Sequence, residues 1–229
     1  MAGDNGNDNP VTRSSNGFFA SHVGINCYND FIRLTPEVEH LTFKADCCNE
    51  DDFVALDLTR FHDLKELHVK EGSLKNVMDL KLHGLTKLET IDVGSNCFSE
   101  RDCSVLEIMN CSSLTTITVG NNSFKWVKGL KMANLTKLNA VSFGEGSFSS
   151  SRNGTFEMRY CRGNNASIEF KKGSFKQWNE FIISDCSLFK ICIRRDCFTR
   201  NHYTVFNSGI VNRLCDYHRH LLLGETHHW

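Results

Sequence analysis

Proline is nearly absent from this 229-residue chain: there are two, Pro10 and Pro36, and none follows. Beyond residue 36, therefore, no residue lacks the backbone donor that proline removes. Long apolar runs are missing too. No stretch approaches 18 apolar residues, which excludes an apolar membrane-spanning helix. Net charge is almost nil, with 26 Lys and Arg against 27 Asp and Glu. That balance removes any global electrostatic reason to bind nucleic acid or an anionic membrane. The opening "MAGDNGNDNPVTRSSNG" has neither the charged start nor the apolar run of a secretory signal. It reads as a disordered tail over 1–17, and the expected location is cytoplasmic. A secreted or cell-surface location is the alternative if a signal lies upstream.

Cysteine is plentiful and odd in number, at 11, yet no CxxC pair or metal clip is spaced along the chain. Phenylalanine is plentiful as well, 17 against 4 Tyr and 3 Trp, as though it filled a recurring slot.

That slot belongs to a repeat. "GLTKLETIDVGSNCF" from Gly84 returns, altered, as "NLTKLNAVSFGEGSF" from Asn134. Aligning the chain with itself gives seven copies, anchored at Val38, Leu64, Leu88, Leu114, Leu138, Asn165 and Leu188. An alternating apolar pair follows each anchor, as in Leu41/Phe43, Ile91/Val93 and Ile117/Val119, which predicts a short half-buried strand. A Gly/Asn/Asp turn comes next, then a small residue, then Phe98, Phe124, Phe148, Phe175 or Phe198; Cys48 and Leu74 take that place in the first two copies. A second alternating pair, such as Leu106/Ile108, predicts another strand, and one more apolar residue closes each unit. Units of 23–27 residues cannot bury their own apolar sides, but stacked coils share one core.

The cysteines fall into this scheme. Cys111, Cys161 and Cys186 stand where other copies carry Leu or Phe, and Cys47, Cys97 and Cys197 stand where others carry Ser. They read as reduced, buried structural thiols. The central outward residue of the second strand alternates in sign: Asp57, Lys81, Glu107, Lys131, Glu157. Stacked about 4.8 Å apart, each charge would face its opposite and so fix the register.

The pattern LxxIxVGxxSF…LxIxNLxxL resembles leucine-rich repeats, specifically the irregular BspA-like kind of protist and bacterial proteins, over about residues 38–198. The resemblance implies a right-handed solenoid used for binding, often at a surface or in adhesion, and no catalytic residues. The expected fold is thus a β-dominant leucine-rich-repeat solenoid of about seven coils with two parallel sheets of short strands. A single domain over 18–229 would comprise an N-terminal cap at 18–37, repeats at 38–198 and a C-terminal cap at 199–229. Val211, Leu214, Cys215, Leu221 and Leu222, with His218 on the same face, predict that the C-terminal cap is an amphipathic helix.

No cofactor or metal is expected. Cys215 and His218 could share a helix face toward Zn²⁺, but no second pair completes four ligands. His22 and Cys27 lie close in sequence without an orienting acid, and "GEGSF" is a repeat turn rather than a phosphate loop. Five Asn-x-Ser/Thr sequons, at Asn110, Asn121, Asn134, Asn153 and Asn165, would matter only on an exported chain.

Two surfaces are candidates for binding a protein partner. One is a flat hydroxyl-rich strip on the outward side of the first strands, including Thr116, Thr118 and Ser142. It is framed by His40, Lys44, Glu66, His68 and Lys70 at one end and by Lys190 and Arg194 at the other. The second is an edge marked by Trp126 and Trp178, which either stand exposed as partner anchors or fold back over their own coils. The reading is a non-enzymatic binding or scaffold module. An exported adhesion protein of the same fold is the alternative, and a C-terminal metal-dependent enzyme a remote one.

Overall fold

The computed structural model describes residues 21–103, 105–163 and 166–200, and the backbone of strands at 203–207, 210–211 and 214–215. The tail at 1–17 lies outside the described residues. Along the chain come β1 (His22–Ile25), α1 (Tyr28–Ile32), β2 (His40–Phe43), β3 (Ala55–Asp57), β4 (Glu66–Val69) and β5 (Asp79–His83). There follow β6 (Thr90–Val93), β7 (Leu106–Met109), β8 (Thr116–Val119), β9 (Gly129–Ala133), β10 (Ala140–Phe143) and β11 (Thr155–Arg159). The last are β12 (Ala166–Phe170), β13 (Glu180–Ser184), β14 (Ser187–Ile193), β15 (Tyr203–Asn207), β16 (Ile210–Val211) and β17 (Leu214–Cys215).

From β2 to β15 these strands alternate between two sheets. The first sheet runs β1-β2-β4-β6-β8-β10-β12-β14-β16, with β17 also on β14, and the second runs β3 through β15. Every pairing is parallel, the signature of a solenoid in which each turn stacks on the one before. Register is set by the inward residues. Leu41, Leu67, Ile91, Ile117, Val141, Ile168 and Ile191 face one another in a continuous row. All seven are buried, because the two sheets close on one shared apolar interior.

The corners require unusual backbone. Asp46, Gly72, Asn96, Asn122, Gly146, Gly173 and Asp196 hold the turn in left-handed conformations, where Gly, Asn and Asp are the least costly residues. More surprising is the phenylalanine slot. Phe98, Phe124, Phe148, Phe175 and Phe198 all have φ between 49° and 53°. Left-handed backbone costs a side-chain-bearing residue about 1–2 kcal/mol. The offset is visible in the interior, where the rings form a stack: Phe98–Phe124 at 4.4 Å, Phe124–Phe148 at 5.2 Å, Phe148–Phe175 at 4.6 Å and Phe175–Phe198 at 5.3 Å. Burying a Phe contributes about 1.5–3 kcal/mol, and each ring pair about 0.5–1.5 kcal/mol more. Burial therefore wins over strain at every turn.

The residue before that slot explains why Cys and Ser interchange there. The buried Ser123 hydroxyl donates to Gly94 O at 2.7 Å, and Ser174 Oγ to Lys171 O at 2.8 Å. Cys97 Sγ points to Lys70 O at 3.1 Å, and Cys197 Sγ to Lys171 O at 3.0 Å. Either side chain fills the same small space and supplies one donor to the corner backbone.

On the outer face of the second sheet the charge ladder is in register: Asp57↔Lys81, Lys81↔Glu107, Glu107↔Lys131 and Lys131↔Glu157. Lys81 Nζ lies 3.9 Å from Asp57 Oδ2, and Lys131 Nζ 3.9 Å from Glu107 Oε1. Lys131→Glu would put carboxylates in three successive coils. We expect a loss of about 1 kcal/mol at low salt, shrinking as salt rises. An unchanged melting temperature at low ionic strength would refute the ladder.

At the N-terminal end β1 adds to the first sheet with His22 opposite His40 and Ile25 opposite Phe43. The short helix α1 follows it, packing Phe31 against Phe43, Phe53 and Phe61. At the C-terminal end the helical pattern is overridden. Ile210–Val211 and Leu214–Cys215 are strands paired with β14, because the exposed edge of β14 offers backbone partners that an isolated helix would forgo. His218, Leu221 and Leu222 lie outside the described residues. In the sixth coil Ala166 stands opposite Leu188, and a register shift follows it; Asn165 lies outside the described residues.

Candidate binding surfaces

The corner that carries the left-handed turns is also where the solenoid is grooved. A cleft of about 640 Å³ crosses the coils from Asp46 to Trp126. Those residues sit in four successive coils, roughly 14 Å apart along the stack. Gly72 leaves the floor bare, since a Cβ there would come 2.1 Å from Asp46 Oδ1. The walls are polar and partly paired: Lys75 Nζ is 3.9 Å from Asp46 Oδ1, and Asn96 Nδ2 donates to Glu71 Oε1 at 3.3 Å. Ser99, Glu100, Asn122 and Lys125 complete them. Trp126, 37% exposed, stands at one end with the Lys125 ammonium 6.0 Å from its ring centre. Of the exposed large apolar side chains among the described residues, it alone lines this cleft.

Trp178 does not share that edge. It is 0% exposed, with its ring edge-on to Phe148 at 5.7 Å and Phe175 at 4.7 Å. Gly154 lies against the indole: a Cβ on it would meet Trp178 Cδ2 at 2.5 Å. Spacing carried the distinction. Trp178 stands three residues after its Phe, in the position held by the buried Val77 and Val127 in other coils, whereas Trp126 stands two after Phe124.

Thr116, Thr118 and Ser142 stand where expected, on the outward side of β8 and β10. Thr116 faces Thr90 and Ala140 across the strands, and Thr118 faces Asp92 and Ser142. Their side chains make a flat strip without a concave feature. Its N-terminal end is different. His22 stacks on His40 with ring centres 3.9 Å apart. His40 Nδ1 lies 3.1 Å from Glu66 Oε2, yet it is buried and makes no directed hydrogen bond. His68 Nε2 lies 3.2 Å from the same Glu66 oxygen, and His68 Nδ1 3.4 Å from Asp92 Oδ2. The bond with His68 is the main reason the Glu66 carboxyl sits below its ordinary range. In the sequence His40, Glu66 and His68 stand only as a charged frame, and no motif marks Asp46, Glu71 or Glu100 as groove residues.

Among the described cysteine side chains nine are buried, in keeping with a packing role, and Cys27 is half-buried. Burial pushes Cys97 and Cys103 up to about 11, and raises Cys111 and Cys197 as well. Such thiols carry little thiolate and react slowly. Cys161 and Cys186 stack in neighbouring coils, and the hydrogen bond to Cys186, followed by burial, raises Cys161. Among the described residues no group of three or more His, Cys, Asp and Glu could hold a metal ion, and no helix there is long and apolar enough to cross a membrane.

Two stacked parallel sheets built from an irregular repeat of about 24 residues define a leucine-rich-repeat solenoid. The family model for the LRR domain of the endo-beta-N-acetylglucosaminidase EndoS matches residues 44–145. The match spans 102 of the 229 residues, and the fold of the chain is a solenoid of the leucine-rich-repeat type. No curated protein and no solved structure matches it.

Proposed function

We propose that this protein is a non-enzymatic binding module that takes a protein partner along the grooved corner, with Trp126 as the anchor. The supporting observation is the contrast between the two tryptophans. Trp178 is committed to the core, whereas Trp126 keeps part of its ring open at the end of a polar cleft. A rigid aromatic offers large contact area at low entropy cost, and such residues dominate interface energies. The flat Thr/Ser strip offers shape but no such anchor. Once a partner is isolated with the intact protein, Trp126→Ala should weaken its binding by about 10–100-fold, equivalent to roughly 1.4–2.7 kcal/mol. Thr116→Ala with Thr118→Ala should leave it within about threefold, well under 1 kcal/mol. The opposite pattern would move the site to the strip.

We also infer a reducing compartment, because buried cysteines fill Leu and Ser positions of the repeat. Thiol counting after denaturation should find at least nine of the 11 cysteines free. Four or more in disulfides would favour the exported adhesion protein instead.

A further inference from the structure

We propose that the corner of the sixth and seventh coils docks an acidic segment of the protein partner, held by Lys171, Lys172, Lys176, Arg195 and Arg200. This rests on the reading that the grooved corner takes a protein partner, and it assigns that partner's charge. The chain is nearly neutral as a whole, but its charges are divided along the stack. Residues 21–143 carry 13 Lys and Arg against 17 Asp and Glu, a net −4. Residues 144–200 carry 10 against 6, a net +4.

Stacking gathers that surplus at one corner. β12 and β14 pair with Phe170 opposite Ile193, and the two chains leave the sheet side by side. Gly173 N donates to Arg195 O at 3.1 Å, and Thr199 N donates to Lys176 O at 3.1 Å. Lys171 and Lys172 therefore sit one coil step, about 4.8 Å, from Arg194 and Arg195. Lys176 and Arg200 follow the same two turns, and all five cations of the proposed site are exposed. Among the described residues none of the five makes an ion pair, although Arg194 beside them is held by Glu169 Oε1 at 3.0 Å. Toward the N-terminal end, by contrast, Lys65, Lys87, Arg101, Lys128 and Lys131 each face a carboxylate of this chain. Asp196 is the carboxylate inside the patch, and it too makes no ion pair among the described residues. Five clustered cations against one anion raise the local potential and attract negative charge.

The surroundings limit what can answer that charge. Carboxylates bound the patch: Glu145 along the corner, Glu169 on the first sheet and Glu180 on the second. A nucleic acid or an anionic membrane would extend beyond the cations onto those carboxylates. Among the described residues, moreover, no exposed large apolar side chain stands between the cations to stack on a base or enter a bilayer. An extended acidic segment of about four to six residues, rising about 3.4 Å each, covers the patch and ends there. Its carboxylates would accept charge-assisted hydrogen bonds from the ammonium and guanidinium groups. Trp126 stands two coils away, about 10 Å along the corner, so one partner segment reaches both.

The first probe is fluorescein-labelled hexaglutamate, titrated with the full-length chain under reducing conditions and followed by fluorescence anisotropy. It should bind at about 50 mM salt and weaken as salt rises. Lys171→Glu with Lys172→Glu and Arg195→Glu should weaken it about 10-fold or more. Lys44→Glu with Lys70→Glu and Lys137→Glu makes the same change in net charge elsewhere, and should weaken it about threefold or less. Should the first triple variant lose its circular-dichroism spectrum, glutamine at the same three positions decides. The second probe is the partner isolated with the intact protein, whose binding the first triple variant should also lose. If that partner is lost with Trp126→Ala but not with the triple variant, the anchor holds and the acidic-segment proposal is overturned. If the triple variant loses it and Trp126→Ala does not, the acidic segment holds and the anchor is wrong. No anisotropy change at low salt, or equal losses in the two triple variants, would also overturn the proposal. So would tighter binding of fluorescein-labelled oligothymidylate or of phosphatidylserine vesicles through the same residues.

Discussion

Trp178→Ala should cost about 3–5 kcal/mol, read as a fall in the denaturant midpoint. The indole is fully buried, is flanked by Phe148 and Phe175, and rests on Gly154, so alanine leaves a large cavity between two sheets. The stacked coils on either side hold their spacing through backbone hydrogen bonds and cannot collapse into it. Trp178→Phe should cost much less. It keeps a ring in the space and removes an indole N–H that is buried without a partner, itself a burden of about 1–3 kcal/mol. A loss below about 1 kcal/mol for the alanine variant would mean that the ring is not held in the core. Trp126→Ala provides the contrast, since its ring lies on the rim and its loss should barely change stability.

The second large effect is at Phe175, and there the order of variants matters more than the size. Phe175→Ala removes a ring stacked on Phe148 and Phe198, and should cost about 3–5 kcal/mol. Phe175→Gly removes the same ring. At an ordinary strand position glycine would be worse than alanine by about 0.5–1 kcal/mol. Phe175 has φ of 53°, where any residue with a Cβ is strained by about 1–2 kcal/mol. Glycine should therefore equal or exceed alanine at this site. At Ile168, on an inward-facing strand position, the usual order should return. Chemical denaturation of the four variants decides the matter, and glycine clearly worse than alanine at 175 would refute the left-handed slot.

Much of the architecture was legible in the residues because a solenoid repeats its physics. Every coil must turn the same residues inward, so the slots of Leu41, Leu67 and Ile91 recur at a fixed offset. The charge ladder was legible for the same reason: parallel in-register strands convert a sequence period into a spatial neighbour. Cysteine in a Ser or Leu place was readable as packing, since each repeat supplied the comparison.

Other features needed the third dimension. Nothing in "NSF" or "GSF" reveals that its Phe adopts left-handed backbone, because φ is set by how the corner closes and by the stack of rings that offsets its cost. The two tryptophans looked alike because they share a motif. One position of offset separates them: Trp178 holds the place of the buried Val77 and Val127, Trp126 the place before it, and the burial of that place shows only in the packed coils. The C-terminal residues show apolar spacing that suits a helix, yet they pair with β14, since a strand edge supplies backbone partners that local periodicity ignores. His40, Glu66, His68 and Asp92 span 53 positions of the chain. Sequence identified them as charged, and stacking brought them to one point, because a coil step of about 4.8 Å makes neighbours of residues some 24 apart.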